Sequence, residues 1–395
     1  MDIETESMKL IPSRLIKKMR RKMSKNNRKN PEPVIEENLL LTDYRPRCLL
    51  RRKETIPEKS RFPVIDAHNH LLGDTPPDEM ISVMDKVGVR SFINVTGNVQ
   101  FTFTESGYHG SMRDLSYFIE HYVNKYPGRF FCFTMSLFAQ IDREILISDD
   151  NFTENCLKQL ENDIKKGALG LKITKELGLK FKDYTGRYIS VDDRRLYPIW
   201  EKAGELGIPV LIHTSDPEGF FLPIDRYNEH YLTLIMAPSW SFQNSHFSKQ
   251  QLLEQRDRVI RDHPGTIFIC PHVANFPENL EYVSTLLRKY KNIYIDFSAR
   301  MDELGRQPYS ARRFFEEFQD RILFATDMPV IEEVYMTYFR FLETDDEYFE
   351  YPDYVGRFGH SRWGIYGLHL PDRILEKIYN KNALRIMPAL KRAFE

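Results

Sequence analysis

Residues 63–71 have the sequence PVIDAHNHL, in which a short apolar run leads directly into two histidines. Val64 and Ile65 favour a β-strand, and His68 and His70 follow at its carboxyl end. Side chains two positions apart in an extended strand point the same way, so the pattern predicts two imidazoles on one side. Paired neutral imidazoles suit a divalent transition metal. Two surface histidines at a turn are the alternative.

From residue 63 onward, strand-like apolar runs alternate with helix-like patterns. After the first strand, we predict strands at 89–95, 129–137, 168–174, 208–213, 266–272, 292–297 and 321–327. The predicted helices are 78–87, 111–125, 151–166, 192–206, 249–262, 277–290, 310–318 and 371–386. Near-continuous apolar strands indicate a parallel sheet that is buried on both faces.

Eight β-then-α units over roughly 250 residues are what a closed (β/α)8 barrel requires. We therefore predict an α/β fold of the TIM-barrel class with a basic N-terminal extension. An open doubly wound sheet is the rival fold, and it would usually carry a glycine-rich phosphate turn after its first strand. The sequence HNHLLGD stands at that place instead.

The segment before the barrel is strongly basic. Lys9 to Lys29 include ten Lys or Arg and no acid, which leaves −11 for the rest of a chain whose total charge is −1. A basic amphipathic helix there could touch an anionic surface, and a solvated leader is the alternative that we favour. The acidic remainder argues against a nucleic-acid binder. We expect a partly flexible extension and arm over residues 1–60 and a catalytic barrel over residues 61–390.

Cysteine spacing and hydropathy indicate the compartment. The four cysteines are widely separated and form no CxxC pair, which is typical of a reducing environment. No apolar run approaches the roughly 20 residues of a membrane span, and no signal peptide is recognisable. We expect a cytoplasmic protein without a transmembrane segment that acts on a small molecule. A homo-oligomer is compatible with the sequence.

Histidines and charged residues recur at the predicted carboxyl ends of the strands, where a barrel of this kind places its chemistry. These positions hold His68 and His70 after strand one, Lys172 and Thr174 after four, His213 after five, His272 after six and Asp327 after eight. Each residue alone has a structural alternative, such as a satisfied histidine or a helix-capping aspartate. Four of the chain's eleven histidines at equivalent positions indicate a metal site instead.

This pattern resembles the amidohydrolase superfamily of metal-dependent barrels over about residues 61–388. The local sequences VIDAHNHL, GLKI, IPVLIHTSDP, PHVAN and LFATDMP are similar to its amidohydrolase-related branch, which also contains metal-dependent decarboxylases. The resemblance implies one divalent metal ion, with Zn²⁺ expected and Mn²⁺ as the alternative. The ligands that it implies are His68, His70, His213 and Asp327.

The resemblance also implies catalytic roles. A bound Zn²⁺ lowers the pKa of its water from about 15.7 to about 7. Asp327 would take the proton of that water and pass it to the leaving group. His272 would stabilise the developing oxyanion or donate a proton. Lys172 could bridge a second metal as a carboxylated lysine, but we favour binding of a substrate anion or a structural ion pair.

Two long connections follow catalytic strand ends, at residues 214–248 and 328–370. Connections longer than about 12–15 residues are uncommon and usually functional. Both are rich in aromatic residues, including Trp240, and could form a lid or rim over the metal. Contact within a dimer and simple loop packing are the alternatives.

Arg300 lies just beyond strand seven, where it could hold a carboxylate in bidentate fashion. A salt bridge with Asp302 or Asp296 is the alternative for this residue. Lys172, Arg300 and Trp240 are therefore the candidate substrate-binding residues.

Three functions remain open from the sequence. The first is metal-dependent hydrolysis of an ester, lactone or amide-type bond in a small molecule. The second is non-oxidative decarboxylation of an aromatic or enoic carboxylic acid on the same centre. The third is a non-catalytic binding module, which a complete set of metal ligands argues against.

Overall fold

The computed structural model describes residues 38–40, 48–71, 76–104, 107–140, 145–147, 151–351 and 363–395. The chain divides into two compact units, Met1–Cys48 and Leu49–Glu395. The basic stretch of the first unit lies outside the described residues, so its contact with an anionic surface stays a prediction. Within the part of the chain that is described, no helix is long and apolar enough to cross a bilayer.

Eight parallel strands form the centre of the second unit. They are β1 Val64–Asn69, β2 Val89–Asn94, β3 Phe130–Cys132, β4 Leu171–Ile173, β5 Val210–Ile212, β6 Phe268–Cys270, β7 Ile293–Asp296 and β8 Ile322–Leu323. Strands β1 to β3 pair in one sheet, and β4 to β8 pair in chain order in a second. Each strand therefore lies beside its neighbour in sequence, as a barrel requires.

Backbone hydrogen bonds join the two sheets between β3 and β4. The N–H of Thr134 donates to the carbonyl of Gly170 at 3.0 Å, and the N–H of Lys172 donates to the carbonyl of Thr134 at 2.8 Å.

A second pair of backbone hydrogen bonds closes the ring between β8 and β1. The N–H of Ala67 donates to the carbonyl of Phe324, and the N–H of Asp327 donates to the carbonyl of His68, both at 3.0 Å. The predicted (β/α)8 TIM-barrel fold is confirmed.

Helices surround the strands. The longer ones are α1 Pro77–Val87, α2 Ser116–Phe118 continued by the π-helix Ile119–Val123, α3 Phe152–Lys166, α4 Tyr197–Glu205, α5 Lys249–Asp262, α6 Leu280–Lys289, α7 Pro308–Glu317, α8 Glu332–Glu343 and α9 Asp372–Glu376 continued through Lys377–Lys381 and Asn382–Ile386. Short helices are Glu176–Leu179, Tyr231–Met236, Pro271–Ala274 and Met301–Gly305, and 3-10 turns are Ser136–Ala139, Arg194–Leu196, Glu218–Phe221, Pro238–Trp240 and Pro388–Ala393. Two further strands, Ile145–Ile147 and Lys182–Asp183, pair in parallel.

Local sequence signals set several helix ends. The Ser248 hydroxyl accepts a hydrogen bond from the N–H of Gln251 at 3.2 Å, and the Gln251 side chain accepts one from the N–H of Ser248 at 2.9 Å. This capping box starts α5. Helices α1 and α3 end at Gly88 and Gly167, which have φ values of 89° and 118°. Glycine adopts these left-handed values at low cost, so the two predicted helix ends are confirmed.

Side chains alternate between the barrel interior and the surrounding helices, with the period of two that strands impose. The interior cluster includes Ile65, Ile93, Phe131, Leu211, Ile269 and Leu323. The residues before them pack against the helices, among them Val64, Phe92, Phe130, Val210, Phe268 and Ile322. The apolar interior forms a floor below the carboxyl ends of the strands, where the polar site lies.

The predicted helices at 111–125, 192–206 and 277–290 begin too early, and the first of them hides a different structure. Residues 111–125 were predicted as helical, but Val99–Thr104 and Gly107–Met112 form an antiparallel hairpin, and α2 begins only at Ser116. The hairpin follows the turn after β2, and its alternating side chains were obscured by the glycines around it.

The prediction of a long irregular connection at residues 328–370 was also wrong in part. Helix α8 occupies its first third and buries Val334, Tyr338 and Phe341. These side chains recur at helical spacing, so a helix signal was present.

Gly170 tests how tightly the barrel interior is packed. A methyl group on Gly170 would lie 2.5 Å from the Phe133 ring, and overpacking of this kind typically costs about 1–3 kcal/mol. We expect Gly170→Ala to lower the free energy of unfolding in urea by about that amount. Gly265→Ala is the matched control, because a methyl group there meets no atom within 4 Å. Equal stabilities of the two variants would contradict the packing described.

Candidate metal centre

A buried carboxylate aligns the ends of β1 and β8. Asp66 is fully buried and accepts hydrogen bonds from the backbone N–H of Thr326 at 3.1 Å and from its hydroxyl at 2.7 Å. The side-chain amide of Asn69 donates to the same carboxylate at 2.9 Å. Burial raises the pKa of Asp66, and these hydrogen bonds oppose the shift. Because Thr326 immediately precedes Asp327, and Asp66 lies two residues before His68, the network sets the relative position of the two strand ends.

Strand β1 carries a bulge between Asp66 and Asn69, a stretch that includes His68. Asp66 pairs with Phe92 and Asn69 pairs with Asn94, so three residue steps on β1 oppose two on β2. A bulge of this kind reverses which face the following residues occupy. Ala67 faces the barrel interior, and the bulge lets the next residue, His68, face the interior as well.

Three of the predicted ligands come together where the end of β1 meets the end of β8. One ligand atom each from His68, His70 and Asp327 lies within 4.8 Å of the others. Within this set, His70 Nε2 lies 3.3 Å from Asp327 Oδ1. His68 is fully buried, whereas His70 and Asp327 are half-buried, so the set opens toward the mouth of the barrel.

Hydrogen bonds on the outer side of each imidazole fix the nitrogen that faces the site. His68 Nδ1 lies 2.9 Å from Asp296 Oδ2, and His70 Nδ1 lies 3.0 Å from the hydroxyl of Thr96. That hydroxyl donates its own proton to Asn94 Oδ1, so it accepts from His70. Each Nδ1 therefore carries the proton and each Nε2 presents a lone pair. Such outer hydrogen bonds are typical of metal-binding histidines.

This donor set fits a divalent cation. The lone pair of His70 Nε2 faces the Asp327 carboxylate at 3.3 Å. These two electron-rich atoms repel each other unless a positive charge lies near both. Burial, followed by the charge of Lys172, holds the pKa of His70 well below its ordinary value. His70 is therefore neutral, which is the form that binds a metal.

Asp296, at the end of β7, holds two of the histidines. Besides His68 Nδ1, it accepts hydrogen bonds from the backbone N–H of His272 at 3.0 Å and the hydroxyl of Ser298 at 2.7 Å. Burial opposes ionisation of this carboxyl, but His68 and the hydrogen bonds lower its pKa to about 2. From the sequence, Asp296 was considered only as a partner for Arg300. Its place at a strand end was the signal that could have identified it.

His272 faces Asp327 with an unprotonated nitrogen. Its Nδ1 donates to the carbonyl of Ser298 at 2.8 Å, which leaves a lone pair on Nε2, 3.6 Å from Asp327 Oδ2. Burial and then the charge of Arg300 hold the pKa of His272 well below its ordinary value. His272 is therefore a proton acceptor at neutral pH and becomes a donor only after it has received a proton.

The backbone is strained at both of these residues. His272 and Asp327 have φ values of 56° and 52°, in the left-handed region. Non-glycine residues in such conformations cost of order 1–3 kcal/mol and cluster at functional sites. The hydrogen bonds from their N–H groups to Asp296 and to the carbonyl of His68 stabilise these conformations.

His213 lies beside His272. Among the described residues, the ligand atoms that lie within 4.8 Å of one another belong to the other three predicted ligands, His68, His70 and Asp327. The ring centroids of His213 and His272 are 4.6 Å apart. His213 Nε2 donates to the carbonyl of Ser215 at 3.1 Å and lies 3.4 Å from Asp216 Oδ1, so Nδ1 holds the lone pair. Burial lowers the pKa of His213 to about 4, against the opposing effect of Asp216. Its role as a ligand stays a prediction.

Lys172 points from β4 into the barrel and contacts His68. Its Nζ lies 3.1 Å from His68 Nε2. Burial lowers the pKa of Lys172 to about 8, while Asp327 and Asp296 oppose the shift. Because His68 Nε2 has one lone pair, it cannot bind Lys172 and a cation at the same time. The bridging, anion-binding and ion-pair alternatives for Lys172 stay predictions.

Arg300 lies near the histidines, whereas Trp240 lies within the connection after β5. Arg300 Nη2 is 3.6 Å from Asp216 Oδ1, the oxygen that also faces His213. Trp240 stacks on Phe220 with ring centroids 6.3 Å apart. The substrate-binding roles of Arg300 and Trp240 stay predictions.

The sequence and the fold were compared with known proteins. A family model described as Amidohydrolase matches residues 143–388, more than half of the chain. This range includes β4 to β8 with His213, His272 and Asp327, whereas His68 and His70 precede it. No curated protein matches the sequence.

Solved structures share this fold at low sequence identity. A dihydroxybenzoic acid decarboxylase from a Polaromonas species, with bound manganese and the inhibitor 2-nitroresorcinol, is 15% identical with a TM-score of 0.52, covering 83% of this chain and 97% of its own. A 2,6-dihydroxybenzoate decarboxylase from Rhizobium is 16% identical with a TM-score of 0.50, covering 83% and 99%. At these identities the likeness shows the fold alone.

The buried Lys172 makes the stability of the metal-free protein depend on pH. Burial lowers its pKa from 10.5 to about 8, so the folded chain binds fewer protons than the unfolded chain between these values. Stability therefore rises with pH in that window. Relative to Lys172→Met, we expect the free energy of unfolding of the wild type to rise by about 3 kcal/mol from about pH 7.5 to about pH 10.5. The measurement is urea denaturation with a chelator present.

Lys291→Met, at an exposed position in a loop, is the control for this pH series. The difference between wild type and Lys291→Met should stay constant with pH. A constant difference for Lys172→Met as well would contradict the buried position of that amine.

Proposed function

The chain belongs to the amidohydrolase family, and we propose that it is a metal-dependent hydrolase of a small molecule with an ester, lactone or amide-type bond. The observation that supports this most strongly is the approach of His68, His70 and Asp327 to within 4.8 Å at the carboxyl ends of the strands. Active sites of TIM-barrel enzymes lie at that face.

The metal would be held by His68 and His70 through Nε2 and by Asp327 through its carboxylate. We also propose His213 as a ligand through Nδ1, its unprotonated nitrogen. Zinc is the expected ion and manganese the alternative, because imidazole and carboxylate suit both. A divalent cation at this place supplies Lewis acidity, which lowers the pKa of water toward about 7 and polarises a carbonyl oxygen.

Proton transfer is the task of Asp327 and His272. The Asp327 carboxylate takes a proton from the attacking water, and its Oδ2 lies 3.6 Å from the lone pair of His272. His272 can then accept that proton, because the carbonyl of Ser298 holds its Nδ1–H on the opposite side. The nearby charge of Arg300 disfavours the protonated imidazole, so His272 releases the proton readily to the leaving group.

Substrate binding falls to the cations and aromatic groups around the histidines. Lys172 and Arg300 are both largely buried and both carry hydrogen-bond donors, so they suit an acidic substrate. Trp240 and Phe220 stack in the connection after β5, and we propose that this aromatic pair contributes to the rim of the site.

Decarboxylation of an aromatic or enoic acid is the second candidate. The observation that favours it is the placement of two cations beside the histidines: Lys172 contacts His68, and Arg300 acts on His272. A carboxylate could lie between them while His272 delivers a proton to carbon. Two solved structures with this fold are dihydroxybenzoate-type decarboxylases, which is support by analogy of fold only.

Asp327→Asn tests the catalytic assignment. We expect kcat to fall by about 10²–10⁴-fold on a substrate found in a panel of lactones, amides and aromatic acids, because the amide cannot accept the proton. Asp320→Asn, an exposed aspartate paired with Lys377, is the matched control and should keep full activity. Full turnover by Asp327→Asn would remove Asp327 from the mechanism.

The same substrate decides between the two reactions. Turnover in H₂¹⁸O should place one labelled oxygen in the product and release no CO₂. Release of CO₂ without label in the product would establish the carboxy-lyase reaction instead.

A further inference from the structure

Three buried side-chain atoms in one region have no hydrogen-bond partner among the described residues. They are the side-chain atoms His230 Nε2, Arg300 Nε and Glu303 Oε2. His230 and Glu303 are only 7% and 3% exposed. A buried polar atom without a partner costs about 1–3 kcal/mol, so native structures rarely group such atoms without a reason. Their grouping in one place points to a ligand.

The three groups come from two segments that meet. Arg300 and Glu303 stand three positions apart where the short helix Met301–Gly305 begins, so their side chains share a face. His230 Nε2 lies 4.0 Å from Glu303 Oε1, which is too far for a hydrogen bond but leaves the two groups side by side.

His230 is held firmly in this position. The backbone N–H of His230 donates to Asn228 Oδ1 at 2.9 Å. The Phe220 ring packs edge-on against the imidazole, with centroids 5.2 Å apart. The ring nitrogen Nε2 therefore faces Glu303 as a fixed group and not as a mobile surface side chain.

Arg300 joins this cluster to the metal centre. Its Nη2 is 3.6 Å from Asp216 Oδ1, and that oxygen is 3.4 Å from His213 Nε2. Nη1 donates to the carbonyl of Ala299 at 2.6 Å. Nε has no hydrogen-bond partner among the described residues, and Nη2 is beyond hydrogen-bond distance of Asp216. The edge formed by these two atoms can therefore take a planar acceptor beside the Asp216 carboxylate, and a carboxylate matches two parallel N–H groups.

The charges around the cluster are mixed. Burial and then the neighbouring Asp302 carboxyl, which also shares a hydrogen bond with it, hold the pKa of Glu303 well above its ordinary value, so Glu303 is a neutral acid. Glu229 lies 3.8 Å from His230 Nε2 and pairs with Arg306 at 2.9 Å. Asp216, Asp302 and Glu278 are further acids that act on Arg300. Arg300 is therefore the cation that the cluster offers to a ligand oxygen, and Glu303 adds no negative charge beside it.

We infer that Arg300, His230 and Glu303 form a subsite, here the Arg300 subsite, that binds a carboxylate of the substrate remote from the bond that reacts. The Arg300 subsite presupposes the proposed function, because it lies next to the proposed metal centre. The substrate class that follows is a small acid with two polar ends, one at the metal centre and one carboxylate at Arg300.

Calorimetric titration of the manganese-loaded full chain tests this assignment. The probes are succinate, glutarate and isophthalate, each compared with its monoamide. We expect at least one diacid to bind about tenfold or more tightly than its monoamide, equal to about 1.4 kcal/mol. Arg300→Gln should remove this difference. Arg288→Gln makes the same change of charge at an exposed pair with Glu317 and should keep it.

His230→Phe is the second variant, since it keeps the packing against Phe220 and removes the ring nitrogens. It should reduce the diacid preference even if Arg300→Gln does not fold. The subsite is overturned if the wild type binds diacids and monoamides equally or binds neither. A preference that survives in both folded variants also overturns it.

The titrations are repeated with a chelator to separate the two proposals. Loss of the metal weakens diacid and monoamide alike, whereas loss of the Arg300 subsite changes only the ratio of their affinities. A failure of the metal-dependent function and a failure of the subsite therefore leave different results.

Discussion

The closure of the barrel between β1 and β8 is the constraint on which the metal centre depends. These strands are the first and last in the chain, and the backbone hydrogen bond from Asp327 to His68 brings their ends together. The Asp66 carboxylate stabilises this junction because it accepts hydrogen bonds from the hydroxyls of Thr326 and Tyr335, the latter on α8. A buried carboxylate is costly to desolvate, and its hydrogen bonds offset that cost. The fold and the site therefore depend on the same contact.

The polar groups behind the histidines determine what the site can bind. An ionised Asp296 fixes the proton of His68 on Nδ1, and Thr96 does the same for His70. The lone pair of His70 Nε2 consequently faces Asp327, and the lone pair of His68 Nε2 faces Lys172. Such outer hydrogen bonds orient both rings for a cation, and its binding at His68 requires Lys172 to leave Nε2.

Much of the fold followed from the sequence because strands and strand ends are local features. The eight apolar runs and the residues that end them, including Lys172, His213 and Asp327, lie where barrel geometry places them. The hairpin of Val99–Thr104 and Gly107–Met112 was missed because glycines obscured its alternation, and α8 was missed although its buried side chains recur at helical spacing. The proton positions and the contacts of Arg300 depend on residues distant in sequence, so no local pattern could supply them.

Metal content measures the central claim most directly. The full chain, supplemented with Zn²⁺ or Mn²⁺ and then freed of unbound ion, should contain about one divalent ion per chain, because two imidazoles and a carboxylate already converge. A folded double variant, His70→Ala with Asp327→Ala, should contain less than ~0.2 ion per chain. A wild-type content below ~0.2, or an unchanged content in the variant, would contradict the assignment of His68, His70 and Asp327 as a common metal site.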